Sequence, residues 1–290
     1  MWNVGLARNV TKKLSMNKLH INYLNVDIPI RPDGVIDFPS DTKLRDKYLA
    51  NKAHPAIINM YLLFWLIEHL TKPGDTILDP TSGMGTLMVA TLMERNVINI
   101  ELEHHMAENQ RLNWQKLCLD FDPRGSYTLL EGDARRYLPC PANHVIFSPP
   151  YSVNISRGGK QVAAMGAESG TFVGEYGQDR AQLARLSYFN LIIAMKEIYR
   201  GLYQSLPVCG FLCTVTKDSV NTKEAKYRGY GGIEPYSADT VKICHEVGFD
   251  LYELWQRDAP PSLRLQIAWS QNPDIPKVRT EEIIIMEKKR

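Results

Sequence analysis

Ser148-Pro149-Pro150-Tyr151 is the stretch of this sequence with the clearest chemical content. Two consecutive prolines hold φ at about −65° and offer no N–H, so the segment is a stiff array of acceptors: the Ser148 side chain and the backbone carbonyls. An amino group on an aromatic base donates two hydrogen bonds while its lone pair is drawn into the ring. Acceptors that grip those protons orient the nitrogen and raise its electron density towards a methyl-sulfonium carbon. The Tyr151 ring supplies a face on which an extruded base can stack.

A second constellation lies upstream, in Asp79-Pro80-Thr81-Ser82-Gly83-Met84-Gly85-Thr86. It follows a short apolar stretch, Thr76-Ile-Leu-Asp79, and precedes a helical pattern. Glycines at such a turn let the backbone approach a ligand closely, and the N–H groups opening the next helix favour a carboxylate or phosphate. A phosphate-cradling loop would end in Gly-Lys-Ser/Thr, and none is present. A dinucleotide fingerprint needs a third small residue where Met88 stands. Glu101, ending the next apolar stretch, suits the ribose diol of either a nicotinamide or an adenosyl ligand. Asp133 is placed to accept from an adenine amino group. The three positions outline a nucleoside pocket without choosing the nucleoside.

These residues must be positioned by regular elements. Residues 1–50 are polar and broken by Pro29, Pro32, Gly34 and Pro39, which predicts an arm or irregular cap. Pro55 opens a helix to about Leu70, and 51–290 are expected to form a single α/β domain. Within it, strands are expected at Thr76–Asp79, Val97–Glu101, Tyr127–Leu130, His144–Phe147, Val208–Thr216 and Asp250–Gln256. Helices are expected from Leu87 to Glu94, from about His105 to Leu119, ending near Tyr203, and from Ala238 to Val247. Strands separated by helices imply βαβ units, hence a doubly wound, mostly parallel α/β sheet. The tail segments Leu265–Trp269 and Glu282–Met286 predict an antiparallel edge.

Composition excludes some classes and leaves others open. The 290 residues are 44% hydrophobic, with a net charge of +2, so any basic surface is a local patch. The five cysteines form no CxxC pair, Cys209 and Cys213 read as buried thiols, and no metal site is expected. The start lacks a signal peptide's apolar core. The most apolar stretch, Tyr61–Ile67, stops at Glu68, well short of the roughly 20 residues that a membrane span needs. Two segments, 152–180 and 217–235, carry basic and polar residues suited to contacting a substrate.

At this point the sequence resembles the amino-group DNA methyltransferases, which modify N4 of cytosine or N6 of adenine. In that family the first-strand motif runs Asp-Pro-Phe-x-Gly-Ser-Gly-Thr and the catalytic motif Asp/Asn/Ser-Pro-Pro-Tyr/Phe. The Ser-Pro-Pro-Tyr form is typical of the cytosine-N4 members. His54-Pro55-Ala56 looks like the segment beside the methionine end of the cofactor, and 282–288 is similar to the last motif. Thr81 and Met84 depart from the usual Phe and Ser.

The resemblance implies a class I methyltransferase (Rossmann-like) fold, S-adenosylmethionine as cofactor, and in-line transfer with no covalent intermediate and no metal. It implies Ser148, Pro149, Pro150 and Tyr151 as catalytic residues. His54, Asp79, Pro80, Gly83, Gly85, Thr86, Glu101 and Asp133 would bind the cofactor. The expected substrate is double-stranded DNA with its base flipped out, cytosine N4 first, with adenine N6 or an RNA amino group as alternatives. No Pro-Cys pair marks the catalytic strand, which disfavours cytosine-C5 chemistry. A cytoplasmic, prokaryotic or phage-type restriction-modification setting is expected. The chain ends straight after the last motif, so no large separate recognition domain is anticipated, and the oligomeric state is open.

Overall fold

The computed structural model describes residues 17–51, 58–150, 181–220, 233–259, 266, 270 and 276–289. His54, Tyr151, the segment 152–180, most of 217–235 and most of Leu265–Trp269 lie outside these residues.

Strands β1 (Lys18–Ile21) and β2 (Val26–Pro29) form a hairpin, followed by β3 (Val35–Ile36) and helix α1 (Thr42–Tyr48). Helix α2 (Met60–Leu70) comes next, its first turn capped by the Asn59 side chain, which accepts from the Leu62 amide at 3.2 Å. It is apolar nearly all round, so it is buried nearly all round, as a helix without a polar face must be. The alternating core then runs β4 (Thr76–Asp79), β5 (Asn96–Glu101), α3 (His104–Asp120), β6 (Tyr127–Glu131), α4 (Ala134–Tyr137) and β7 (His144–Phe147). Helix α5 (Tyr188–Ser205), β8 (Phe211–Thr216), the short pair β9 (Ser219–Val220) and β10 (Ile233–Glu234), α6 (Tyr236–Val247), β11 (Phe249–Asp258) and β12 (Thr280–Lys288) complete it.

The main sheet runs β3-β11-β12-β8-β7-β4-β5-β6. Every pairing is parallel except those of β12, which is antiparallel to both β8 and β11. This is the doubly wound, mostly parallel sheet expected from the sequence. The antiparallel pairing lies towards one edge, as expected: β12 is inserted between β8 and β11, and the two-residue β3 lies beyond them. Successive strands step away from β4 in one direction through β5 and β6, and in the other through β7 and β8. The chain therefore reverses between β4 and β7, and a crevice opens at the carboxyl ends of these two strands.

Two buried clusters cover the sheet. One joins α2 to residues 19–36 of the amino-terminal strands, and the other joins α5 and α6 to the opposite face. Residues 17–50, expected as an arm or irregular cap, thus pack on the core through Leu19, Ile21, Ile28, Ile30 and Ile36. Glu68 on α2 accepts from the Asn22 and Tyr23 amides at 2.8 and 2.6 Å, and Tyr23 stacks on Phe64. On α5, Leu191, Met195, Ile198 and Leu202 follow helical spacing into the second cluster, each worth roughly 1.5–3 kcal/mol on burial.

Two local expectations differ from the structure. Thr86–Met93 is a 3₁₀ helix, not an α-helix, held between left-handed residues Gly85 and Glu94. The Thr91 hydroxyl donates to the Met88 carbonyl three residues back, which suits the tighter winding. Cys213 is buried in β8, but Cys209 is exposed in the turn that precedes it. No helix among the described residues is long and apolar enough to cross a membrane.

Candidate active site

The crevice between β4 and β7 is built first by the turn after β4. The Asp79 carboxylate accepts from the Thr81 amide at 2.9 Å, bending the chain out of the strand. Ser82 anchors the turn to β5, donating to the Ile100 carbonyl through both its amide and its hydroxyl, each at 3.1 Å. The Gly83 amide donates to Glu101 at 2.7 Å, and the other Glu101 oxygen accepts from the Glu103 amide at 2.9 Å. One carboxylate therefore ties together the two turns that flank the crevice.

Asp79 and Glu101 are 8% and 7% exposed. Burial, reinforced for Asp79 by the neighbouring Glu101 charge and opposed by the Thr81 amide, pushes its carboxyl up to about 8. Burial likewise raises Glu101 to about 7, against the pull of the Glu103 and Gly83 amides. Two buried carboxyls beside one crevice favour a cationic or hydroxyl-bearing ligand.

One cavity takes in most of the expected positions. Asp79, Pro80, Gly83 and Thr86 line it from the turn after β4, Glu101 from the end of β5, and Asp133 from the turn after β6. Ser148, Pro149 and Pro150 close it from the end of β7. Sequence reasoning missed Glu103, Met106 and Gln182, which line it too. Gln182 donates to Glu103 at 2.6 Å. It lies more than thirty residues beyond the tetrapeptide, in no motif, and nothing in its local sequence marks it.

Two expected ligand residues are placed differently. Gly85 does not line the cavity. Its α-carbon faces inward, where an added Cβ would stand 2.7 Å from Gln110 Oε1, and its φ is +73°. Asp133 lines the cavity, but its carboxylate already accepts from Arg135, at 2.6 Å from Nη2 and 3.0 Å from the amide. Burial would raise the Asp133 carboxyl, yet these Arg135 hydrogen bonds hold it below the ordinary value. A base donor at this position would share the carboxylate with Arg135.

Ser148 has the most specific geometry. Its hydroxyl donates to the Val215 carbonyl of β8 at 3.0 Å, so Oγ offers only lone pairs to a further partner. Its carbonyl accepts from the Thr81 hydroxyl at 3.4 Å, a long contact between the two motifs made by the residue that replaces the usual Phe.

The family model described as "DNA methylase" matches residues 13–111, a stretch that holds the turn after β4 and stops before Ser148. A protein of Escherichia coli (strain K12) named "Putative methylase YubD" is 42% identical over 69 residues, covering 23% of this chain and 30% of that one. The chain thus spans less than a third of that relative's length. Solved structures with similar folds include a methyltransferase from Pyrococcus furiosus, with a TM-score of 0.48, 11% identity, and coverage of 86% of this chain and 95% of that one. TrmN from Thermus thermophilus gives a TM-score of 0.42 and 15% identity, covering 79% of this chain and 47% of that one. The fold class itself stands on the strand order. By the family match and the turn motif that it contains, residues 13–111 are similar to the amino-group DNA methyltransferases, whose cofactor is S-adenosylmethionine.

Proposed function

We propose that this protein methylates an exocyclic amino group of a base in DNA, cytosine N4 in the first instance, with the base turned out of the duplex into the crevice. The observation that carries this reading is the Ser148 hydroxyl, whose proton goes to Val215 and whose oxygen is left as an acceptor at the cavity wall. An acceptor-only oxygen beside two prolines without N–H groups suits a substrate that arrives as a donor, as an amino group does.

Bound S-adenosylmethionine supplies an electrophilic methyl group on a sulfonium. The residues that would hold it fit its chemistry. Asp79 and Glu101 are buried acids able to take a cationic amine and a ribose diol, and the Gly83 turn lies alongside. Ser148 and the Pro149 and Pro150 carbonyls would accept from the amino group, fix the direction of its lone pair and take up positive charge as it develops on nitrogen. Near-attack geometry, with reacting atoms about 3–3.5 Å apart, then carries much of the rate. Tyr151 is assigned the stacking face and His54 the methionine end, from the family motifs alone. The segments 152–180 and 217–235 would track the nucleic acid backbone.

Adenine N6 and an RNA amino group are the alternatives, since both present the same donor. Incubation with tritiated S-adenosylmethionine on DNA and on RNA, followed by nucleoside analysis, separates them. N4-methylcytosine in DNA is the expected product. Label confined to RNA, or no label in any base, overturns the reading.

A further inference from the structure

Helix α3 is poor in apolar residues, yet one face of it is fully buried, and that face carries amides. Gln110 and Asn113 have no exposed surface, and both reach the turn that lines the cavity without lining it themselves. Gln110 Nε2 donates to Ser82 Oγ at 2.8 Å and to the Gly83 carbonyl at 2.7 Å. Its Oε1 accepts from Asn99 at 3.0 Å and from the Tyr127 hydroxyl at 2.7 Å. Both donors and both lone pairs of the amide are therefore used. The partners also fix which end is which: the Gly83 carbonyl only accepts, and Ser82 Oγ has given its own proton to Ile100.

One turn further on, Asn113 Nδ2 donates to the Met84 carbonyl at 3.0 Å, and its Oδ1 accepts from the Asn51 amide at 2.8 Å. Ser82, Gly83 and Met84 are thus held from behind at three successive residues. A glycine turn has much backbone freedom to lose when it orders around a ligand. Fixing it beforehand lowers the cost of binding. Gly85 belongs to the same device, because a Cβ there would meet the Gln110 side chain.

We propose that Gln110, seconded by Asn113, is a positioning residue that pre-forms the cofactor turn and so sets cofactor affinity. This rests on the methyltransferase reading above. Between the buried Ala107 and Leu117, this helix offers the sheet two oriented amides in place of apolar side chains, and their direction serves the turn.

The test compares Gln110→Met with a core variant remote from the turn, Ile243→Ala, by calorimetric binding of S-adenosylhomocysteine, thermal melting and hydrogen exchange. Gln110→Met is expected to weaken binding by about tenfold or more, the scale of one or two lost ordering contacts, and to speed exchange at the Gly83–Gly85 amides. Its kcat at saturating cofactor should change far less than its KM. Ile243→Ala should melt earlier yet bind as the parent does. Asn113→Leu, a milder change, is expected to weaken binding about threefold and serves if Gln110→Met does not fold. Parent binding with equal affinity in the Gln110 or Asn113 variant overturns the proposal alone. Equal weakening in Ile243→Ala reduces it to general stability and also overturns it. A parent protein that binds no S-adenosylhomocysteine overturns the methyltransferase reading, and this proposal with it.

Discussion

Replacing Asp79 by Asn should make the ligand-free protein more stable and, at the same time, weaken its hold on the cofactor by roughly a hundredfold. Asp79 is 8% exposed and ionises only at about 8, against 3.8 for an unperturbed side chain. Between those two pH values the folded protein keeps a proton that the unfolded chain has released, so stability falls as pH rises through this window. The loss is about 1.4 kcal/mol per pH unit. Over the interval to pH 7 that amounts to an upper figure of roughly 4 kcal/mol for this group, before any relaxation. Asn is neutral at every pH and still accepts from the Thr81 amide, whose bond to Asp79 is 2.9 Å. A gain of about 2–3 kcal/mol at pH 8 is therefore expected, with little difference near pH 4, and a melting temperature about 4–9 °C higher at pH 8.

Cofactor binding should move the other way. A cationic ligand needs the ionised carboxylate, so parent affinity rises with pH through about 7 to 8 as Glu101 and Asp79 lose their protons. Removing one partner of such a buried pair costs on the order of 3 kcal/mol, roughly a hundredfold in affinity. Urea unfolding at pH 4, 6 and 8, with titration calorimetry of S-adenosylmethionine at each pH, measures both arms. A variant that is less stable than the parent at pH 8, or that binds with parental affinity, would refute the electrostatic account of this crevice.

Ser148→Ala removes an oriented acceptor and should lower the rate of methyl transfer by about 10²–10³-fold, the scale seen when one active-site hydrogen-bonding group is lost. Cofactor affinity by calorimetry should stay within about twofold, because the change lies on the substrate side. Gly85→Ala combines a φ of +73° with a Cβ 2.7 Å from Gln110. A loss of about 1–3 kcal/mol is expected in denaturant unfolding, accompanied by weaker cofactor binding. Gly125→Ala is the harsher change, since its Cβ would stand 1.7 Å from the Arg95 carbonyl oxygen. Backbone must move there, and a loss above about 3 kcal/mol or failure to fold is the expected outcome, read by soluble yield and melting.

The alternation of short apolar strands with helical segments was legible in the chain itself. β4 and β7 run over the residues expected from pattern alone, and β5, β6 and β11 differ from expectation by one or two residues at their ends. The reason is local: a buried parallel strand must be an uninterrupted apolar run, and its turn must carry residues able to leave it. The Asp79–Thr86 turn and the Ser148 motif stood out for the same reason, because their chemistry lies in neighbouring residues. The amino-terminal region was legible only as an arm or irregular cap. Its strands are short and contribute only a few buried residues each, so their period is invisible until α2 supplies the other half of the packing.

What only the tertiary structure decided involves partners distant in sequence. The sequence suggests that Ser148 is an acceptor, but the Val215 carbonyl that takes its proton lies 67 residues away on another strand. Glycine at position 85 is legible as a turn residue. That a Cβ there would meet Gln110 depends on how α3 lies against the turn. Asp79 and Glu101 each read as a polar strand end, whereas their raised ionisation arises only because the fold buries both carboxyls beside one crevice. Residue type and short spacing determine which groups are available for chemistry. Long-range packing determines which of their hydrogen bonds are already used, and so which remain for a ligand.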